Sequence, residues 1–535
     1  MNQNAKDHQT ESAQLKDRYV FTLVQSALWP LVLLIIFIFS GMFTYEGQYD
    51  TDEGINLIKG YLHYQGYDLY TEIWSDQPPL STLAISQWFE WFGVDISMVR
   101  VLFFISTAVL LISFYMILVK NEQVTTAMVG VGLLILSPYF FPLSVSIMIG
   151  MPAIAFALVS VMILYRMDWA PSEENQRFFE NALRYKGLSF NLILSGIFMG
   201  VASQVKLFVV ILLPAVALFF ISKIFVSSER DFKKNLWLLI RFGLQWAIPF
   251  LLAFCLVELL AGSFRFDMTF LSHFESGNSG GSEPTSVDQQ YGISNFGATF
   301  YNLPYFLIAL LGINELRRSS ALRQEVVPIG WAAGSIIFIY FHSPTWYHHL
   351  VMLNVPFVWL GTFWIGSYIK ELSRLKGNEA QSKPKRSLLR DLSSIVALFL
   401  LLLFPTSISN RIIQENSFEN LLNADQKILS QIESNSDPDA FFFTDYPIYA
   451  VRADRAIPPE LAVLTLKRFN NGNISQSEIV DVLNRYQPEY VLLERHLDLY
   501  AETVYDHLEI YYVPLYDEEN FKLYQIRSET VSHSD

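Results

Sequence analysis

Apolar residues in this chain come in long blocks separated by short polar stretches. Blocks of roughly 20 residues are the length a helix needs to cross the hydrocarbon core of a bilayer. Eleven spans are predicted, at about 28–44, 99–119, 124–142, 145–165, 190–205, 207–226, 237–262, 298–313, 327–342, 350–369 and 392–408. Pro138, Pro142 and Pro152 interrupt the run from Val124 to Tyr165, which reads as two helices or one broken helix. The 190–226 stretch turns tightly around Lys206. Some 25 mostly polar residues precede the first block and no small-residue cleavage site follows it, so a retained helix is expected there and not a cleaved signal peptide.

Beyond the last block the pattern changes. Phe441-Phe442-Phe443 and Tyr490-Val491-Leu492-Leu493 read as buried strands, and 510–513 and 521–526 as further strands. Residues 475–486 and 497–507 read as amphipathic helices. This alternation predicts a small α/β domain over 409–535 that follows a membrane domain over 28–408. The expected fold class is a polytopic α-helical membrane protein with about eleven spans and a small extracytoplasmic α/β domain.

Composition agrees with the blocks. A mean hydropathy of +0.29, with 52% hydrophobic and 15% aromatic residues, is too apolar for an ordinary soluble protein. The single cysteine, Cys255, lies inside an apolar run, which excludes a disulfide framework and a cysteine metal site. The net charge is −14, but residues 411–535 hold 10 Lys+Arg against 22 Asp+Glu, so most of the acidity belongs to the tail. No nucleic-acid partner is implied.

Lys and Arg set the direction of threading. With the N-terminus inside, 22 of them fall in the inner segments, seven in 370–390 alone. The outer loops before the tail keep only Lys59, Lys206 and Arg265, with Arg100 at a membrane boundary. The loop 45–98, the loop 263–297, the Tyr347-His348-His349 corner and the tail are therefore expected together on the extracytoplasmic face. Residues 275–294 are rich in Gly, Ser and Asn; mobility is the plain reading, and a substrate lid is the alternative.

The chemistry is sought on that face. Asp52 and Glu53 stand just beyond the first span, where Thr51-Asp52 also makes a good helix N-cap ahead of Ile55, Ile58 and Leu62. A fixed carboxylate there can take the proton of an acceptor hydroxyl that attacks an anomeric carbon. A departing phosphate then needs cations or hydrogen-bond donors, and the candidates are Lys59, Arg100, Lys206, Arg265, Tyr347, His348 and His349. Arg100 and Lys206 can equally snorkel at helix ends. Glu258 is an acid inside a span, to be explained by function or by a pair with Arg265. Adjacent histidines cannot easily share one ion, so no obligatory metal is predicted; a divalent cation at Asp52-Glu53 has weak support.

Several short motifs resemble the GT-C superfamily of membrane glycosyltransferases, in its protein-mannosyltransferase and aminoarabinose-transferase-like branch. They are Asp52-Glu53, Gly66-Tyr67-Asp68-Leu69-Tyr70, Asp76-Gln77-Pro78-Pro79-Leu80, Arg100, Gly200-Val201-Ala202-Ser203-Gln204-Val205-Lys206, and Tyr347-His348-His349 followed by Pro356. The resemblance implies an inverting transferase that uses a polyprenyl-phosphate sugar. Asp52 would be the base, with Asp76, Gln77 and the 347–349 corner near the donor phosphate. The acceptor would be a glycolipid, polysaccharide or protein, and the setting a bacterial inner membrane. Two departures stand out: Gln77 replaces a lysine often found before the Pro pair, and no second acid appears around 142–150. The alternatives are a lipid or sugar transporter or flippase and, less favoured, an assembly protein whose tail binds a partner.

Overall fold

A computed structural model describes residues 21–167, 169, 186–226, 232–262, 265, 268–269, 292–293, 302–341, 345–376, 419–465, 468–469, 472–518 and 521–527. The predicted span 392–408 and most of the loop 263–297 lie outside these residues.

Each of the other ten predicted spans holds a helix among the described residues. They correspond to α1 (Leu28–Phe39), α4 (Ile96–Asn121), α5 (Val124–Ile135), α6 (Gly150–Arg166), α7 (Lys186–Val205), a 3-10 turn (Leu207–Leu212) leading into α8 (Leu213–Ile221), α9 (Phe232–Leu260), α10 (Leu303–Arg318), α11 (Val326–Phe341) and α12 (Val351–Lys376). Five helical stretches among the described residues are long and apolar enough to cross a membrane: Phe21–Phe39, Ile96–Lys120, Leu207–Phe225, Phe232–Leu260 and His348–Glu371. Shorter apolar helices fill in between them. The ambiguous run from Val124 resolves into two main helices, because Pro138 and Pro142 fall in the connection between α5 and α6, which holds a single short helical turn at Phe140–Leu143.

Helices α4 and α6 pack together, α7 packs on α6 and α9, and α10 packs on α12. Where apolar surroundings supply no strong hydrophobic drive, helices associate by close approach and by hydrogen bonds. Both devices are present. Ser195 on α7 donates to the Ser160 carbonyl at 3.0 Å and accepts from the Trp246 indole at 3.0 Å. Gly312 on α10 faces the backbone of α12, and a Cβ built there would stand 1.8 Å from the Leu360 carbonyl oxygen. Gly312→Ala should therefore force the two helices apart and lower the thermal unfolding temperature of the detergent-solubilised protein by several degrees. An unchanged midpoint would refute this packing. The outer faces of α1 and α9 leave Ile35, Phe39, Leu252 and Leu259 exposed, as lipid-facing surfaces require.

Two further helices, α2 (Thr51–Tyr64) and α3 (Leu80–Phe92), lie in the loop between α1 and α4 and pack on each other. The tail starts with α13 (Glu419–Asn435) and builds a four-stranded sheet in the order β3-β4-β6-β5, with β3 (Phe442–Thr444), β4 (Tyr490–Leu493), β5 (Tyr512–Asp517) and β6 (Lys522–Ile526). Strand β3 is parallel to β4; the other pairs are antiparallel. Helix α15 (Gln476–Tyr486) starts at a Ser475/Glu478 capping box.

Two predicted elements shift. The helix expected at 497–507 runs over Glu502–Tyr511, and the strand expected at 510–513 begins at Tyr512. The helix carries its apolar face, Val504, His507 and Leu508, one turn further than the short pattern suggested. The tail docks on the first loop through α14 (Ile448–Arg452), which packs on α2. Gly54 permits that approach, since a Cβ there would lie 2.8 Å from the Ile448 amide nitrogen. The Tyr61 hydroxyl donates to Asp454 at 3.0 Å across the same contact.

Candidate active site

The first loop is pinned at its root by one buried ion pair. Glu53, fully buried on α2, accepts from Arg100 Nε at 3.0 Å and Nη2 at 3.3 Å. Arg100 also donates to the carbonyls of Phe43, Tyr45 and Gly47, which uses all five of its N–H groups. Its guanidinium lies 4.9 Å from the Tyr49 ring centre, so the chain leaving α1 wraps around it. Glu53 accepts in addition from the Tyr49 amide at 2.8 Å and the Ile147 amide at 3.2 Å, while Asn56 donates to the Ile147 carbonyl at 3.0 Å. The 142–150 connection is thus fastened to α2, not left to carry an acid of its own.

The N-cap of α2 is Asp50 and not Thr51 or Asp52, a correction to the expected start. Its carboxylate accepts from the Asp52 amide at 3.0 Å. Its other oxygen lies 3.2 Å from His348 Nδ1. Burial alone would push the Asp50 carboxyl up, but the His348 ring, the Asp52 amide and the Lys206 ammonium outweigh it and hold Asp50 below the usual carboxylate range. Asp50, which sequence reasoning missed, is therefore what ties the first loop to the 347–349 corner. A signal for it existed: Asp50 and Glu53 have the spacing of a capping box, and the Glu53 carboxylate turns back to the Tyr49 amide.

Asp52 is half-buried beside Asp50, and one ligand atom each from Asp50, Asp52 and His348 falls within a 4.8 Å span. Buried Lys59 and half-buried Lys206 lie within electrostatic reach of this group. Burial pulls the Lys59 ammonium down from its ordinary range, and the Asp76 and Asp52 carboxylates oppose that shift. Burial does the same to Lys206, opposed by Asp52, Asp50 and Asp76. Three carboxylates and two ammonium groups thus sense one another in a single cluster.

The predicted residues divide around it. Lys59, Asp76, Lys206 and His348 converge with Asp52. Gln77 bridges to Asp76 Oδ1 at 3.2 Å, and its carbonyl accepts from the Tyr70 hydroxyl at 2.8 Å. Tyr70 itself adopts the left-handed φ of 73°, which an L-residue rarely takes. His349 turns away from the cluster, with its Nδ1 3.3 Å from the Trp346 amide and its ring against Phe338. Tyr347 opens the 3-10 turn Tyr347–Leu350 that carries both histidines. The preceding strand β2 (Thr345–Trp346) pairs with β1 (Gly292–Ile293), so the far end of the 263–297 loop reaches this corner. Arg265 is half-buried just beyond α9. Glu258 does not pair with it: the partner of Glu258 is Gln204 Nε2, at 3.1 Å.

Comparison with known proteins gives a partial family match and a shared fold. Residues 58–259 match the family model described as dolichyl-phosphate-mannose-protein mannosyltransferase. The crystal structure of ArnT from Cupriavidus metallidurans bound to undecaprenyl phosphate superposes with a TM-score of 0.54 at 12% identity, covering 94% of this chain and 98% of that one. The chain shares the fold of this ArnT over nearly its whole length. The apo form of the same ArnT gives a TM-score of 0.54 at 11% identity over 93% of this chain and 98% of that one. The archaeal oligosaccharyltransferase AglB from Archaeoglobus fulgidus, in complex with an inhibitory peptide and a dolichol-phosphate, gives 0.52 at 14% identity over 97% of this chain and 75% of that one. No curated protein matches the chain. The partial family match and the fold shared with ArnT and AglB agree with the resemblance drawn from the motifs.

Proposed function

We propose that the chain transfers a sugar from a polyprenyl-phosphate carrier to a hydroxyl acceptor at the extracytoplasmic membrane face, with inversion at the anomeric carbon. The observation that carries this reading is Asp52 grouped with Asp50 and His348 where the first loop and the 347–349 corner join, with Lys59 and Lys206 in electrostatic reach. The GT-C relatives found with undecaprenyl phosphate and dolichol-phosphate support the choice of carrier. The clustering of charge at one end favours a transferase over a transporter, which needs polar groups along a path through the membrane.

In the proposed reaction the acceptor oxygen attacks the anomeric carbon while Asp52 takes its proton. The bond from that carbon to the carrier's phosphate oxygen breaks, and the phosphate leaves with the electron pair. One displacement of this kind inverts the centre. Lys59 and Lys206 face the charge that develops on the phosphate, and the low local dielectric strengthens their pull. Asp76 orients the lysines, and Gln77 holds Asp76. Asp50 and His348 position Asp52 through its amide and close the corner. Glu53 and Arg100, each saturated by the other and by backbone, build the loop and do not touch substrate.

The test is a transfer assay with purified protein and an undecaprenyl-phosphate monosaccharide, read by NMR for the anomeric configuration of the product. Inversion is expected; retention of configuration would overturn the mechanism. Asp50, Asp52 and His348 are also a donor set that fits a divalent cation, with two carboxylates and one imidazole. The two lysines already supply the positive charge the phosphate needs, so washing with EDTA should change turnover less than twofold. A large loss restored by Mn²⁺ or Mg²⁺ would instead make that triplet a cation site.

A further inference from the structure

At the edge of the same cluster, two side chains carry hydrogen-bonding capacity that the protein leaves unused. Gln204, near the end of α7, is fully buried and donates through Nε2 to the Phe254 carbonyl at 2.9 Å and to Glu258 Oε1 at 3.1 Å. Glu258, on the last turn of α9, is 2% exposed. Gln204 Oε1 and Glu258 Oε2 are both buried and have no hydrogen-bond partner among the described residues. A buried acceptor without a donor is costly, and a carboxylate oxygen more so. Two of them together, on adjacent helices, need a source of donors.

Their position indicates the source. Gln204 is two residues from Lys206, which faces Asp50, Asp52 and Asp76. The Glu258 charge, together with that of Asp76, acts on the hydroxyl of Tyr70, which is bonded to the Gln77 carbonyl. The pair therefore lies at the ends of α7 and α9, with Glu258 in electrostatic reach of the Tyr70 hydroxyl. A carrier lipid rising between helices would bring its head group past this point, and a sugar is a dense array of hydroxyl donors.

We propose that Gln204 and Glu258 form a sugar-reading subsite, in which Glu258 Oε2 and Gln204 Oε1 accept hydrogen bonds from hydroxyl groups of the carrier-linked sugar. The inference rests on the donor assignment made above and names the part of the site that distinguishes a loaded carrier from an empty one. It gives Glu258 a specificity role and no part in bond making.

The test compares the affinity of the detergent-solubilised full chain for undecaprenyl phosphate and for the same lipid carrying one hexose. The wild type should bind the loaded lipid more tightly. Glu258→Gln keeps the volume but replaces one carboxylate acceptor by a donor, and should erode that preference by roughly tenfold, because sites built to bond a hydroxyl discriminate strongly through it. Binding of the bare lipid should change less than twofold. Gln204→Met, which removes an acceptor at similar volume, should act in the same direction and serves if Glu258→Gln fails to fold. Equal losses for both lipids, an unchanged preference, or an effect confined to the acceptor's KM would overturn the inference. Binding of neither lipid by the wild type would instead remove the donor assignment and this subsite with it.

Discussion

Asp52→Asn should lower kcat by about 10²- to 10⁴-fold, the usual contribution of a positioned general base, while the protein still folds and still binds the carrier lipid. The substitution is nearly isosteric. Asp52 contributes its backbone amide, not its side chain, to the cap at Asp50, so the start of α2 should survive the change. What is lost is the acceptor for the proton of the attacking hydroxyl. Single-turnover measurement with bound donor separates this chemical step from binding. A variant that keeps more than a tenth of wild-type turnover would assign the proton to another group, with Asp76 next in line by its reach to both lysines.

Removing Arg100 should have the largest effect on the folded state. Arg100→Ala leaves Glu53 as an uncompensated buried carboxylate, and breaking one half of such a pair costs about 3–5 kcal/mol. The same change releases the carbonyls of Phe43, Tyr45 and Gly47, which hold the chain between α1 and α2. The expected outcome is a large drop in thermal stability and poor recovery of monodisperse protein. Activity and stability should fall together, because the loop that carries Asp52 loses its anchor. The double variant Arg100→Met/Glu53→Gln removes both charges and should recover part of the stability. If Arg100→Ala folded as well as wild type and failed only in lipid binding, Arg100 would be a phosphate ligand and not a structural anchor.

Much of this arrangement was legible in the sequence because lengths and periodicity carry it. Each apolar block from Leu28 to Tyr368 became a helix, since a run of that length in apolar surroundings has to satisfy its backbone internally. Tail strands at Phe442 and Tyr490 were equally plain, being short, β-branched or aromatic, and bounded by turn residues. The partners of the acids were not legible. Asp50 and His348 are 298 residues apart, and no local pattern announces their contact. Arg100 at a helix end is compatible with snorkelling toward water, and only the fold shows it turned inward onto three carbonyls and Glu53. Glu53 drew attention for its chemistry, yet the structure uses it as the buried counter-charge. The Gln204–Glu258 pair was hidden for the same reason: Glu258 stood out as an acid inside a span, but its partner, 54 residues away, is set only by two helices brought side by side.

The central claim is that a lipid phosphate is held over Asp52 by Lys59 and Lys206. An experimental structure of the protein with undecaprenyl phosphate tests it most directly. The phosphate should lie within hydrogen-bonding distance of at least one of these lysines, on the Asp52 side of the His348 corner. A phosphate bound at the other end of the helices, or separated from Asp52 by the Glu53–Arg100 pair, would contradict it.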